Sequence, residues 1–292
     1  MIYLKSYKIF ESRDNQFFKT KEETKDWLDE VSIGKYTIND DLTVDVDGDV
    51  DLNNKKLEKI PVKFKSIGGY FNCGSNQLTS LEGCPKSVGG HFNCNSNKLT
   101  SLDGSPESVG GHFYCNSNKL TSLDGSPDSV GGHFYCRYNQ LTNLEGCPES
   151  VGGNFYCSDN QLTSLKGCPE SVGGDFDCGI NQLTSLEGCP KSVGGYFYCG
   201  YNQLTSLKGS PESVGGSFYC DHNSIEEVYN LFGNKECIKW LNEYNVINSY
   251  SNKSTGVNKI DLEGFKDVIY IMDMEDTFDY KKLYQLKNYK VI

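Results

Sequence analysis

From Ser66 onward the chain repeats one phrase at a fixed period. The unit that runs from Ser66 through Gly68-Gly69-Tyr70-Phe71-Asn72-Cys73 and Asn76-Gln77-Leu78-Thr79-Ser80-Leu81 to Lys86 starts again at Ser87, Ser108, Ser129, Ser150, Ser171 and Ser192, without insertion or deletion, and a half copy begins at Ser213. A fixed period near twenty residues admits few folds. No unit this short can bury its own apolar edge, so successive units must cover one another as the coils of a solenoid.

Comparing the copies separates constant places from variable ones. The constant set is Phe-x-Cys-x-x-Asn-x-Leu-x-x-Leu, as in Phe134, Cys136, Asn139, Leu141 and Leu144. The spacing points Phe, Cys and both Leu inward. The Asn is expected to bond backbone groups at the bend leaving each strand, as a ladder from Asn76 to Asn223. Paired glycines such as Gly131-Gly132 permit positive φ or a close approach of the neighbouring coil. Pro148 and its equivalents fix the return path.

The chain has 13 cysteines, and their placement argues against a disulfide framework. Cys73 and its seven equivalents through Cys220 stand where each copy needs an inward apolar group. Cys84, Cys147, Cys168 and Cys189 share their place with Ser105, Ser126 and Ser210, which excludes an obligatory bridge. Side chains stacked on parallel rungs also point the same way, poorly placed for the disulfide torsion. Buried thiols in a reducing compartment are the expectation. A Cys-rich metal site is the competing reading, and it lacks the Cys-x-x-Cys pairs of zinc sites.

A formal charge of -11 and a pI near 4.9 argue against a nucleic-acid surface and against an acidic membrane. No run reaches the ~18 apolar residues of a membrane span. Lys5, Lys8 and Glu11 stand where a signal peptide would carry its apolar core. A cytoplasmic address is expected.

Flanking segments read as caps: residues 1–44 ahead of the array, 45–223 the solenoid, and 224–292 a helical cap. Thr20-Lys21-Glu22-Glu23 matches a capping box ahead of a helix facing inward through Trp27, Leu28 and Val31. Lys35 to Ile38 and Leu42 to Val46 flank Asn39-Asp40-Asp41 as a hairpin. Asp45 to Lys65 is a worn copy, with Gly48, Leu57 and Ile60 standing one period before Gly69, Leu78 and Leu81. Its Asp45, Asp47, Asp49 and Asp51 read as the solvated face of a strand. A calcium loop is the sharper alternative, but Val50 and Lys56 occupy the places where that loop needs Gly and Glu. After the array, a capping box at Asn223 to Glu227, a helix near Glu236 to Glu243 and another over Asp261 to Met272 are expected, with Ser249 to Asn258 a polar loop.

The Asn-Gln-Leu-Thr-Ser-Leu core resembles the leucine-rich repeat pattern, with Phe and Cys in its first two apolar places. It is especially similar to the short repeats of bacterial secreted effectors and of leucine-rich repeat proteins encoded by tailed phages. The resemblance covers roughly residues 45 to 225. It implies a parallel β-sheet on a concave, partner-presenting face, a mostly irregular convex side, an α+β N-terminal cap and a helical C-terminal cap. The ubiquitin-ligase domain of some effectors is not supported, because Glu236-Cys237-Ile238-Lys239 lacks the acid that should follow the cysteine. Met1 to Glu11 resembles the starts of small phage proteins.

Function is sought where the copies differ, at three alternate strand places and the one after them. Alternate strand residues share a face, so these four columns lie together. The candidate partner-binding residues on it are His91, His112, Tyr114, His133, Tyr135, Arg137, Tyr138, Tyr156, Asp175, Asp177, Tyr196, Tyr198, Tyr201 and Tyr219. Tyrosine supplies large amphipathic contact area with few rotors to freeze. Stacking between rungs that merely stabilises the sheet is the competing reading, against which Arg137, Asp175 and Asp177 interrupt the run. The His91, His112 and His133 column invites a metal or a proton switch, yet parallel imidazoles do not converge on one centre. The Thr79 to Thr205 column lacks the Thr-x-Thr spacing of an ice-binding face. With no phosphate loop, His-Glu-x-x-His or nucleophile beside a base, no enzyme, cofactor or metal is expected. The expectation is a protein-binding scaffold, phage-encoded and acting on a host or viral protein. A virion structural or adhesion module that recognises glycan or a surface protein is the alternative. Partner identity and oligomeric state stay open.

Overall fold

Thr20 starts the first helix, and its hydroxyl accepts the Glu23 N–H at 3.1 Å. The Glu23 carboxylate reaches back to the Lys19 N–H at 3.0 Å, closing the expected capping box one residue early. Helix α1 (Lys21–Glu30) buries Thr24, Trp27 and Leu28, and Val31 just past its end is buried too. The computed structural model describes residues 17–204, 207–223, 228, 231–232, 247–248, 258–260, 262–272, 274, 278–286 and 289–291. The chain divides into two units, Met1–Leu141 with Glu145–Tyr156, and Thr142–Leu144 with Cys157–Ile292.

In the first unit, β1 (Tyr36–Ile38) and β2 (Thr43–Val46) form the expected antiparallel hairpin. Strand β3 (Val50–Asp51) and strand β4 (Lys63–Ile67) complete the worn copy. Thr43 pairs with Lys63 and Val44 with Phe64, whereas Asp45 pairs with Ser66 and Val46 with Ile67, so the offset between partners lengthens by one across this pairing. Lys65 is the extra residue of a β-bulge that sets the period of everything after it. The acidic run is not one strand, because the chain bends between β2 and β3. Asp45 accepts from Asn39 and from the Ser66 hydroxyl, Asp49 from the Tyr70 N–H, and Asp51 from the Asn53 N–H. Asp47 lies 3.6 Å from Lys35. These carboxylates brace backbone and neighbours rather than converge as a calcium loop requires.

Each coil then contributes two strands where one was expected. A Ser-Val strand pairs in parallel with those before and after it, Ser66 to Ser87 to Ser108 to Ser129 to Ser150. A Phe strand does the same, from Phe71 to Phe155 in the first unit. Two-residue strands are too short to show alternation, so the first sheet escapes a reading by hydrophobic period. Between the two strands, a Cβ on Gly110 would strike the Gly89 carbonyl, and the same clash recurs at Gly89 and Gly131. Close approach of coils, not positive φ, explains that first glycine of the pair. Positive φ belongs instead to Gly104 and its equivalents in the turn before Cys-Pro or Ser-Pro, at 81–98°.

Phe, Cys and both Leu of each copy lie inside, and successive Phe rings stack 5.2–5.8 Å apart between Phe71 and Phe155. Asn118 shows what the Asn does. Its Nδ2 donates to the Cys115 and Asn116 carbonyls of its own coil and to the Cys94 carbonyl of the coil before, while its Oδ1 accepts the Leu99 N–H at 3.1 Å. Each Asn therefore fastens two coils. Among the described residues none of the 12 cysteines is in a disulfide. The thiols of Cys94 and Cys115 donate to the Tyr114 and Tyr135 carbonyls of the next coil, and burial pushes both thiols well up. Burial likewise pushes Cys147 and Cys189 up to about 12, so these are inert thiols.

The second unit repeats the pattern with Ser171, Ser192 and Ser213 on one sheet and Phe176, Phe197 and Phe218 on the other. Beyond residue 223 it is not purely helical. Strands Ile247–Asn248, Asn258–Ile260 and Tyr289–Val291 form a three-stranded sheet, antiparallel at the first pairing and parallel at the second. Asn258, read as the end of a polar loop, opens the middle strand. Helix α2 (Leu262–Ile271) answers the expected helix, burying Phe265, Val268 and Ile269, and Phe265 packs against Phe232 and Phe278 at 5.1 and 5.4 Å. A short helix α3 (Tyr280–Leu283) is capped by Asp279. The capping box at 224–227, the helix at 236–243 with Cys237, the loop residues 249–257 and the opening Met1 to Glu11 lie outside the described residues. Among the described residues no helix is long and apolar enough to cross a membrane.

Candidate functional site

The Phe strand fixes the variable columns through its backbone. Phe92 N–H donates to the His112 carbonyl, Cys94 N–H to that of Tyr114 and Ser96 N–H to that of Asn116, all at 2.8–2.9 Å. The N–H groups of His112 and Asn116, in the first and third columns, point back at the preceding coil and need acceptors there.

In the first column the side chains are those acceptors. His91 Nδ1 accepts the His112 N–H at 2.8 Å, His112 Nδ1 accepts that of His133, and His133 Nδ1 accepts that of Asn154. In the second unit Asp175 serves Tyr196 in the same way at 2.8 Å. The imidazoles stack 4.3 Å apart and nearly parallel. An accepting Nδ1 places the ring proton on Nε2. A metal on Nε2 would force that proton onto Nδ1, against a backbone N–H, so the column does not fit a ligand set. Burial first, then the His133 and His91 rings, hold His112 below the usual histidine range.

The second column is a ring stack. Tyr114 and Tyr135 lie 4.8 Å apart, Tyr135 and Tyr156 5.1 Å, and in the second unit Tyr198 and Tyr219 4.9 Å. His112 and His133 meet the edges of Tyr114 and Tyr135 at 5.8 Å. Burial pushes the Tyr114 and Tyr135 phenols up. The third column again supplies acceptors. Asn95 accepts the Asn116 N–H and Asn116 that of Arg137. Asp177, which takes the tyrosine's place in the second column, accepts the Gly179 N–H at 3.0 Å and the Ser158 hydroxyl at 2.9 Å. The Arg137 guanidinium sits 5.6 Å from the Tyr138 ring.

Beside the stacked tyrosines and Arg137, the remaining candidates fall into two groups. His91, His112, His133, Asp175 and Asp177 hold backbone N–H groups, so their interruption of the tyrosine run has a structural reason that sequence comparison could not supply. Tyr138, Tyr196, Tyr201 and Tyr219 are instead presented outward. The fourth column is the most telling. Every residue in it has a left-handed backbone, from Ser75, Ser96 and Ser117 to Tyr138 in the first unit, and Asp159, Ile180, Tyr201 and His222 in the second, with φ between 52° and 57°. That conformation costs an L-residue roughly 1–2 kcal/mol, and a β-branched residue is its least suited occupant. Yet Tyr138, Ile180 and Tyr201 stand there at 56%, 50% and 54% exposure. Tyr201 stacks on His222 at 4.0 Å. Ile180 was missed as a candidate, although the change from Ser to bulky residues along this column was the signal. No family model, curated protein or solved structure matches the chain.

Proposed function

We propose that this chain is a non-enzymatic protein-binding scaffold of leucine-rich-repeat type, phage-encoded and acting on a host or viral protein in the bacterial cytoplasm. The observation that carries the reading is the fourth column. Large apolar side chains are held in solvent at a backbone place where Ser occurs in earlier coils, and neither the core nor the hydrogen-bond ladder requires them. Surfaces that keep such groups exposed are generally contact surfaces. Glycan recognition through the stacked tyrosines is the weaker alternative, because Tyr114, Tyr135, Tyr198 and Tyr219 turn ring faces to each other that sugar C–H groups would need.

The test replaces three residues with the one their column already tolerates, Tyr138→Ser, Ile180→Ser and Tyr201→Ser. Partner capture from bacterial lysate, read by mass spectrometry, should disappear in the variant while its circular dichroism stays that of the parent. Capture of the same proteins by both would refute the reading.

A further inference from the structure

The same four columns change charge along the chain. Between Tyr70 and Tyr138 they hold His, Asn, Ser, Gly and Tyr with one cation, Arg137, and no carboxylate. In the second unit they hold Asp159, Asp175, Asp177 and Asp221 and neither Lys nor Arg. The acids are interleaved with tyrosines. Tyr196, at 43% exposure, lies 5.9 Å from Tyr198 and 6.1 Å from Tyr219. Gly179 and Gly200 leave two consecutive third-column places without a side chain, beside exposed Ile180 and Tyr201.

From this arrangement we infer that the second unit's face binds an arginine-rich extended segment of a protein partner, an inference that rests on the protein-binding reading above. A guanidinium suits the surface better than an ammonium. Its plane stacks on an aromatic ring, and its fork engages a carboxylate through two parallel N–H groups. The carboxylates are fixed before any ligand arrives. Asp175 is held by the Tyr196 N–H, Asp177 by the Gly179 N–H and Ser158, and Asp221 by the His222 ring at 2.9 Å. The backbone N–H and hydroxyl donors on Asp175 and Asp177 orient these acids and carry no charge of their own. The field is felt by the tyrosines, since burial first and then the Asp175 carboxylate raise the Tyr198 phenol above its ordinary value. Fixed acids among aromatic rings attract a cationic chain and set its register.

The experiment is fluorescence anisotropy of a labelled oligoarginine peptide on the full chain, with a Gly-Ser peptide of equal length as control. Three proteins are compared. One is the parent. The second carries Asp175→Asn, Asp177→Asn and Asp221→Asn, which keep the acceptor oxygens. The third carries Glu107→Gln, Asp128→Asn and Glu149→Gln, which remove as many charges ahead of the Ser-Val strands. The parent and the third protein should bind oligoarginine, more weakly as salt rises, and the second should lose at least about tenfold in affinity. Equal loss in both variants would mean attraction to net charge alone and would overturn the inference, as would no parental binding or equal affinity for the Gly-Ser peptide. Those failures leave the protein-binding reading standing, because its own test is the serine variant.

Discussion

An imidazole that accepts a backbone N–H through Nδ1 is committed to one protonation state. His112 is such a group, with a ring stacked above and below it and the Tyr114 edge beside it. Unfolded, it titrates near the ordinary 6.5; folded, it titrates lower. As pH falls the unfolded chain takes the proton first. The stability contributed by the neutral stack is complete above 6.5 and is lost as pH drops below that value and through the lowered folded one. Urea midpoints should therefore fall between about pH 7.5 and about pH 5.5. His112→Asn, a non-titrating acceptor, should flatten that slope, and an unchanged slope would remove the histidine from the explanation. The tautomer was invisible in the sequence because nothing in a residue string shows which backbone N–H lacks a partner. The column itself was plain.

At the scale of the coil, the Asn is the element that turns neighbouring turns into a stack. Asn118 serves three carbonyls and one N–H, all buried except the half-buried Asn116 carbonyl. In Asn118→Ala the Cys94, Cys115 and Asn116 carbonyls keep the Asn97 amide, the Asn139 amide and the Ser96 N–H as donors, whereas the buried Leu99 N–H loses the Asn118 acceptor, and an unsatisfied buried polar group costs about 1–3 kcal/mol. A loss of about 1–3 kcal/mol in chemical denaturation is expected. A loss below about 0.5 kcal/mol would show that water replaces the amide. This ladder was legible because the Asn never varies among copies while its neighbours do. The Ser-Val sheet was not legible, since a two-residue strand carries no period. Nor was the sheet made by 247–248, 258–260 and 289–291, whose short strands are separated by helices and polar sequence.

For the molecule as a whole, length is a free variable only in whole copies. Ser108 pairs with Ser129 and Phe113 with Phe134, one copy apart. Deleting residues 108–128 brings Ser129 to Ser87 with every face conserved. That protein should keep its far-ultraviolet spectrum and a cooperative thermal transition, at a modestly lower midpoint, because each coil depends on its neighbours alone. Deleting 108–127 instead shifts each later strand by one residue and turns Phe outward; a cooperative transition there would contradict the register argument. The bulge at Lys65 bears on the same rule from the other side. It joins a hairpin whose count to the next strand is one short to an array that keeps the full period. The leading segment is thus an adaptor with two different threads, and the worn copy belongs to it as much as to the array. Transplanted onto another stack of coils with this period, the hairpin would have to carry the stretch through Ile67 with it, because the hairpin alone holds no means of changing pitch.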